Sequence, residues 1–451
     1  MKSILFVCLI GIATAGLHAA EDESKRPGLD ALLFDKELWT KPMADVKSSL
    51  KAKDPRQLEM VEKLKAQGHN VKVKEEDGFE WMSAAKEALR AQPGTFSLMD
   101  QTIGEVVMRG DDETAKTATV SIYNRGDDGE IQPGEYEKKF TDWKAGLDAK
   151  LGVRPSERST SGSVVTDAWM WRKDDTAYLL EGSLNRSEKR PEFIRLRLAS
   201  VSKASQAPRK MARRDSFATN VRKDDKGFAW IEGIPMVDQG QKGYCVVATV
   251  ERVARYFGAD IDQHELAQLA NTGDSGTRPD EMEKAFQRVT GKIHLRTLAL
   301  FDYDGRLLEK DIRSYNRAAK SAGKKTFDLD PDRYIFSPAH FWTSVDATTF
   351  RDMKREQNRF EHFERKIKEY VDQGIPLCWT LYLGMFPEEG LPQSFGGHMR
   401  MIFGYNFDSE DPAEHKIYYT DSWGEGHEKK VMRADEAYSM TTGLYTMVPN
   451  R

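Results

Sequence analysis

Gln239-Gly240-Gln241-Lys242-Gly243-Tyr244-Cys245 runs directly into a helical pattern, and the reading of the chain turns on that junction. Val246, Val247, Val250, Val253, Ala254 and Phe257 recur at helical spacing and stop at Gly258. Valine is a poor helix former, so burial rather than propensity must hold this segment. Cys245 then stands at the positive end of a buried helix, where the dipole favours a thiolate. Its backbone N–H has no intrahelical partner and can face a developing oxyanion. Gln239 lies across a loop containing Gly240 and Gly243, and its side-chain amide can supply a second donor. The competing reading is a buried cysteine at a helix start with no chemical role.

A reactive thiol needs a base, and the base needs an orienting partner. Gly396-Gly397-His398 opens the strand-like run Met399–Tyr405. Tyr419-Thr420-Asp421-Ser422-Trp423-Gly424 closes the next one. Asp421 can accept a hydrogen bond from one ring nitrogen of His398, leaving the other to face Cys245. Trp423 can cover that bond and exclude water. A carboxylate beside the imidazole favours the imidazolium, which in turn stabilises a neighbouring thiolate.

These segments resemble the papain-like cysteine peptidases. That family's Gln-Gly-x-Cys-Gly-x-Cys signature corresponds to Gln239–Cys245, its His strand to His398 with Gly404-Tyr405, and its Asn-Ser-Trp-Gly signature to Asp421–Gly424. The resemblance implies Cys245 as nucleophile, His398 as general base and acid, Asp421 as orienter and Gln239 as oxyanion donor, with Trp423 and Gly243 in support. It covers about half the chain. Two positions depart from the pattern. Lys242 stands where the family has its first motif cysteine, so the disulfide anchored there is absent, and Asp421 replaces the usual Asn. Cys-His-Asp, together with Tyr244–Val253 and Asp262–Leu266, is closer to the bacterial bacteriocin-processing (double-glycine) peptidase branch. The fold expected from the resemblance is α+β and two-lobed, a helical lobe followed by an antiparallel sheet lobe, preceded by a small α+β domain. Peptide hydrolysis is the expected activity. Transglutaminase-type acyl transfer and a non-catalytic peptide-binding module are the alternatives.

The whole chain has 451 residues, 39% apolar and 31% charged, with a net charge of -4. That length suggests two or three domains with real cores. The charge balance disfavours a dedicated nucleic-acid binder, and the 21 Phe, 15 Tyr and 9 Trp disfavour disorder. Residues 1–20, with a basic start and an apolar Ile4–Leu17, read as a secretory signal peptide, which places the protein outside the cytoplasm, secreted or periplasmic. No stable membrane insertion is expected after its removal. Residues 21–77 read as a polar lead with a helix over Pro55–Gly68. Residues 78–200 read as a small α+β accessory or pro-domain, 201–227 as a basic linker and 228–451 as the catalytic domain. Within 78–200 a helix is expected over Trp81–Ala91 and a strand over Phe96–Met108. Residues 21–226 are either an inhibitory propeptide or a permanent binding domain. In the catalytic half, helices are expected over Asp262–Ala270, Pro279–Val289 and 350–372, and a strand over Leu377–Leu383.

Other motifs carry less. Gly273-Asp274-Ser275-Gly276 imitates the nucleophile loop of trypsin-like peptidases but sits between helical patterns and reads as a turn. His264-Glu265 lacks the second His of a zinc helix and reads as a solvent-facing pair. Asp328, Asp330 and Asp332 alternate like a calcium loop but lack its Gly and terminal Glu. Cys378 reads as a buried structural thiol, and His415 and His427 as exposed turn residues. No metal and no organic cofactor is implied, and the expected partner is a peptide or protein substrate.

Overall fold

The computed structural model describes residues 26–66, 73–111, 113–158, 160–161, 164–204, 214–259, 261–273, 276, 286–287, 290, 295–327, 338–388 and 395–449. The signal segment expected at 1–20, nearly all of the helix expected at 279–289, and the aspartates at 328, 330 and 332 lie outside these residues.

The chain is α+β, built on antiparallel sheets. The first sheet takes in β1 (Glu80–Trp81), β2 (Ala88–Ala91), β3 (Val106–Asp111), β4 (Thr114–Asn124), β5 (Val165–Lys173), β6 (Thr176–Asn185) and β7 (Arg190–Ser200), in the order β5-β6-β7-β4-β3-β2-β1. Helix α1 (Pro133–Leu151) lays Tyr136, Trp143, Leu147 and Leu151 into its core. Pro133 starts α1 and Gly152, at φ 66°, stops it, as helix-end chemistry favours. Leu29, Leu33, Trp39 and Met43 share that same core, so the residues before 78 pack with those after it.

Two readings in this region are corrected. Trp81–Ala91 is not a helix but the β1–β2 hairpin, because Leu89 and Ala91 are buried through sheet pairing. Phe96–Met108 is not one strand. Met99 and Asp100, at φ 51° and 58°, turn Ser97–Leu98 back onto Gln101–Thr102 before β3 begins. Two consecutive left-handed residues favour a tight two-residue hairpin, a conformation that hydrophobic pattern alone does not reveal.

The second sheet gathers Val221–Lys223, β8 (Ala229–Ile231), β9 (Leu295–Asp302), β10 (Leu377–Leu383), β11 (Gly396–Asn406), β12 (Lys416–Thr420) and β13 (Thr441–Pro449). Its main order is Val221–Lys223, β8, β11, β10, β13, β9, with β12 paired to β11. Helices α2 (Cys245–Tyr256) and α3 (Gln263–Ala270) pack on one another, and α2 also meets β11. Residues 246–254 of α2 are buried on every side. At about 1.5–3 kcal/mol for each fully buried large aliphatic side chain, burial outweighs the poor helix propensity of its valines. The expected helix at 350–372 is two, Ala347–Arg355 and α4 (Asn358–Val371). Extended backbone at Gln357 separates them, and Lys354 is buried there against Asp311 at 2.8 Å.

Candidate active site

The loop before α2 is shaped by backbone chemistry. Gly240 has φ 73°, and a Cβ there would stand 2.9 Å from the Arg90 guanidinium, so glycine is required twice over. Gly243, the other expected hinge, is not among the left-handed glycines. The Gly240 N–H is held by Asp238 at 2.8 Å, and the Gln239 N–H by the Ser422 carbonyl at 2.8 Å. The second bond joins the loop directly to the Asp421 segment. Gly424, at φ 82°, brings that segment against Asp238, where a Cβ would lie 2.9 Å from the carboxylate.

Cys245 is the first residue of α2, half-buried and in no disulfide. His398 comes from the start of β11 and Asp421 from just past β12, strands that pair in antiparallel register. His398 Nε2 lies 2.8 Å from Asp421 Oδ1, and the ring and the Cys245 thiol stand close enough to shift each other's ionisation. With Nε2 engaged by the carboxylate, Nδ1 is the nitrogen left for sulfur. Trp423 stacks on the imidazole at 4.8 Å and 24°. The structure thus brings Cys245, His398, Asp421 and Trp423 together. Gln239 is buried in the adjoining loop. Its Nε2 donates to the Lys242 carbonyl at 3.3 Å, and its Oε1 has no partner.

The electrostatics follow from burial set against charge. Burial disfavours the imidazolium, but the Asp421 carboxylate and the Cys245 sulfur outweigh it and lift His398 to about 9. Burial also opposes the Asp421 carboxylate, yet His398 and Arg400 hold it down at about 2. Cys245 is pushed up by burial and down more strongly by His398 and the nearby Met399 backbone amide, so the thiol lies below its usual value. Cys378, fully buried in β10, is driven up to about 12 by desolvation. Only one of the two thiols is therefore poised as a nucleophile.

Three supporting residues escaped the sequence reading. Arg400, two positions along β11 from His398, donates from Nε to Asp421 Oδ2 at 2.8 Å and from Nη1 to Glu388. Period-two alternation places it on the same sheet face as His398, a signal that was available. Arg252, two helical turns beyond Cys245, donates to the Asp421 carbonyl at 3.0 Å and to Thr420 at 2.9 Å. It fastens the cysteine helix to the segment carrying Asp421. Asp127, from the first sheet's side of the molecule, pairs at 2.6 Å with Lys242, whose side chain is 2% exposed. No sequence pattern links residues so far apart.

Three expectations about histidines are corrected. His264 and Glu265 do not face solvent; His264 is buried against Glu105, and the half-buried Glu265 meets Arg195, both across the two halves of the chain. His415 is buried between Glu364 and the Ser409 carbonyl, at 2.7 and 2.8 Å. His427 stands edge-on to Trp423 at 5.4 Å, half-buried beside the site. Gly273 and Gly276 close a turn, and among the described residues no three His, Cys, Asp or Glu side chains converge on a metal position.

The loop, α2, α3 and β9 fall within one region of sequence similarity. Residues 233–302 match the Peptidase C39 family. The match is confined to this short stretch, which contains Gln239 and Cys245 and ends well before His398. The segment is C39-like, and its family supports a peptidase of the cysteine type. No curated protein matches the chain.

Proposed function

We propose that the protein is an exported cysteine peptidase in which Cys245, His398 and Asp421 act as one catalytic unit, with Gln239 as oxyanion donor. The observation that carries this reading is the His398 ring bonded to the Asp421 carboxylate at 2.8 Å, with the Cys245 thiol close enough to share in its electrostatics. The Cys245 thiolate attacks the scissile carbonyl carbon, and the electron pair moves onto oxygen. The Cys245 N–H and the second Nε2 hydrogen of Gln239 stabilise that oxyanion. His398 protonates the departing amine, then takes a proton from water, which hydrolyses the thioester. The meeting of α2 with β11 supports a papain-like arrangement, with the cleft running between nucleophile and base. Export rests on the composition of residues 1–20, and no described helix is long and apolar enough to cross a membrane.

A thiol-directed peptidyl chloromethyl ketone tests the reading. It is expected to alkylate Cys245 and spare Cys378, as read by peptide mapping of the modified protein. Modification confined to Cys378, or absent altogether, would overturn it. Product analysis with added amine separates hydrolysis from acyl transfer.

Activity should have an alkaline limb near pH 9, because the leaving amine needs the His398 proton, which is lost as pH rises through the ring's raised value. Asp421→Asn should retain partial activity, since the amide oxygen can still accept from the ring. It should also move the alkaline limb to lower pH, because the neighbouring anion is gone. Arg400 Nε–H would then meet an amide N–H in place of a carboxylate oxygen. Losing a charge-assisted bond predicts a roughly 10- to 100-fold fall in kcat/KM. A pH–rate profile of both proteins checks the limb and the fall together.

A further inference from the structure

A cavity of about 490 Å³ opens beside the candidate site, walled on one side by Gly240, Gln241 and Trp423 and on the other by Arg56, Glu80 and Trp81. Its second wall belongs wholly to the N-terminal part of the chain. The chemistry of the site fixes which end of a substrate reaches it. His398 must face the departing amine to protonate it, and Trp423 covers His398. The space past Trp423 therefore lies on the leaving-group side of the scissile bond.

The charges around this cavity are unevenly committed. Arg90 is spent on Glu105 and Asp238, each at 2.7 Å. Arg56 is spent on Asp54, which it meets through both Nε and Nη2. Glu80 keeps a 3.7 Å approach to Arg56 and a long 3.5 Å bond from Gln92 Nε2, and Glu425 is exposed with no ion pair among the described residues. Among the lining residues the carboxylates thus outnumber the cations, while Lys86 already stands over the Trp81 ring at 6.0 Å and His398 covers one face of Trp423. Arg90, 3% exposed, is also one of the residues lining the cavity, and its buried Nη2, close to Gly240, has no acceptor among the described residues.

We infer that this cavity binds the segment of substrate C-terminal to the cleaved bond and selects a Lys or Arg side chain there, with Glu80 and Glu425 facing the cation and Arg90 a backbone carbonyl. The inference rests on the cysteine-peptidase reading for the direction of the substrate. It makes the N-terminal part of the chain a permanent component of the substrate site rather than a segment to be discarded.

The test measures binding, so it does not depend on turnover. Full-length Cys245→Ala protein is titrated calorimetrically with the free-amine peptides Ala-Lys-Ala-amide and Ala-Glu-Ala-amide, which mimic the leaving fragment. The lysine peptide should bind roughly five- to tenfold tighter, with a preference that shrinks at high salt. Adding Glu80→Gln and Glu425→Gln, both at exposed positions, should erase the preference. Equal binding of the two peptides, or a preference that survives both substitutions, overturns the inference. Failure of the chloromethyl ketone to label wild-type Cys245 would instead refute the peptidase reading, so the two failures are distinguishable.

Discussion

Cys245→Ala is expected to lower peptide hydrolysis by at least about 10⁴-fold while leaving the thermal transition nearly in place. The loss is large because no other group can take over. Cys378 is sealed in β10 and held protonated by its surroundings, with its value near 12. The structural cost is small because Cys245 is half-buried at a helix start, and alanine suits that position. The same substitution makes a further demand. Part of the lift on His398 comes from the sulfur, but Asp421 is its larger source. In Cys245→Ala the ring should therefore titrate below 9 yet still above its ordinary 6.5, as NMR of the imidazole would read. A value at or under 6.5 would mean that Asp421 does not govern the ring, and the proposed division of labour would be wrong. His398→Ala and the double variant should be no worse than Cys245→Ala alone, since members of one catalytic unit are not additive.

The residues proposed to do the chemistry were readable because each announces itself locally. Cys245 begins an apolar helix, His398 follows two glycines at a strand start, and Asp421 ends the neighbouring strand. The strands around them were readable as short apolar and aromatic runs rather than by alternation, since Leu377–Leu383 and Lys416–Thr420 are buried on both faces along almost their whole length. What stayed hidden was set by long-range pairing. Trp81–Ala91 carries a pattern compatible with a helix, and only its partner β3 makes β2 a strand. The break at Glu356-Gln357 depends on Lys354 meeting Asp311, which lies far back in the chain. His264 reads as a surface residue until Glu105 of the other half closes over it. The second sheet likewise recruits β8 and β9 from stretches that flank the helices, so helices and sheet share one core.

Lys242 is where the sequence departs from the papain pattern, and it leads to the second large expected effect. In place of a motif cysteine it carries a charge into the interior, where Asp127 meets it at 2.6 Å and Tyr244 lies under its ammonium at 4.9 Å. Asp127→Ala should cost about 3–5 kcal/mol, because it leaves that ammonium buried and uncompensated. Lys242→Met should cost less, since Asp127 is the more exposed partner, at 14% against 2%, and can recover solvent. The double variant Asp127→Ala/Lys242→Met removes both charges and should return most of the lost stability. Denaturant titrations of the wild type and the three variants form a cycle whose coupling should be strongly favourable to the native pair. The catalytic readout adds what stability alone cannot show. Gln239 donates to the Lys242 carbonyl, so a loop that shifts with Lys242 shifts the proposed oxyanion donor too. In Asp127→Ala, assayed well below its transition, kcat should fall while alkylation of Cys245 by iodoacetamide, which needs no oxyanion donor, keeps its rate. Parallel loss of both would mean that the pair supports the fold at large. An unchanged kcat would mean that the loop stands without it.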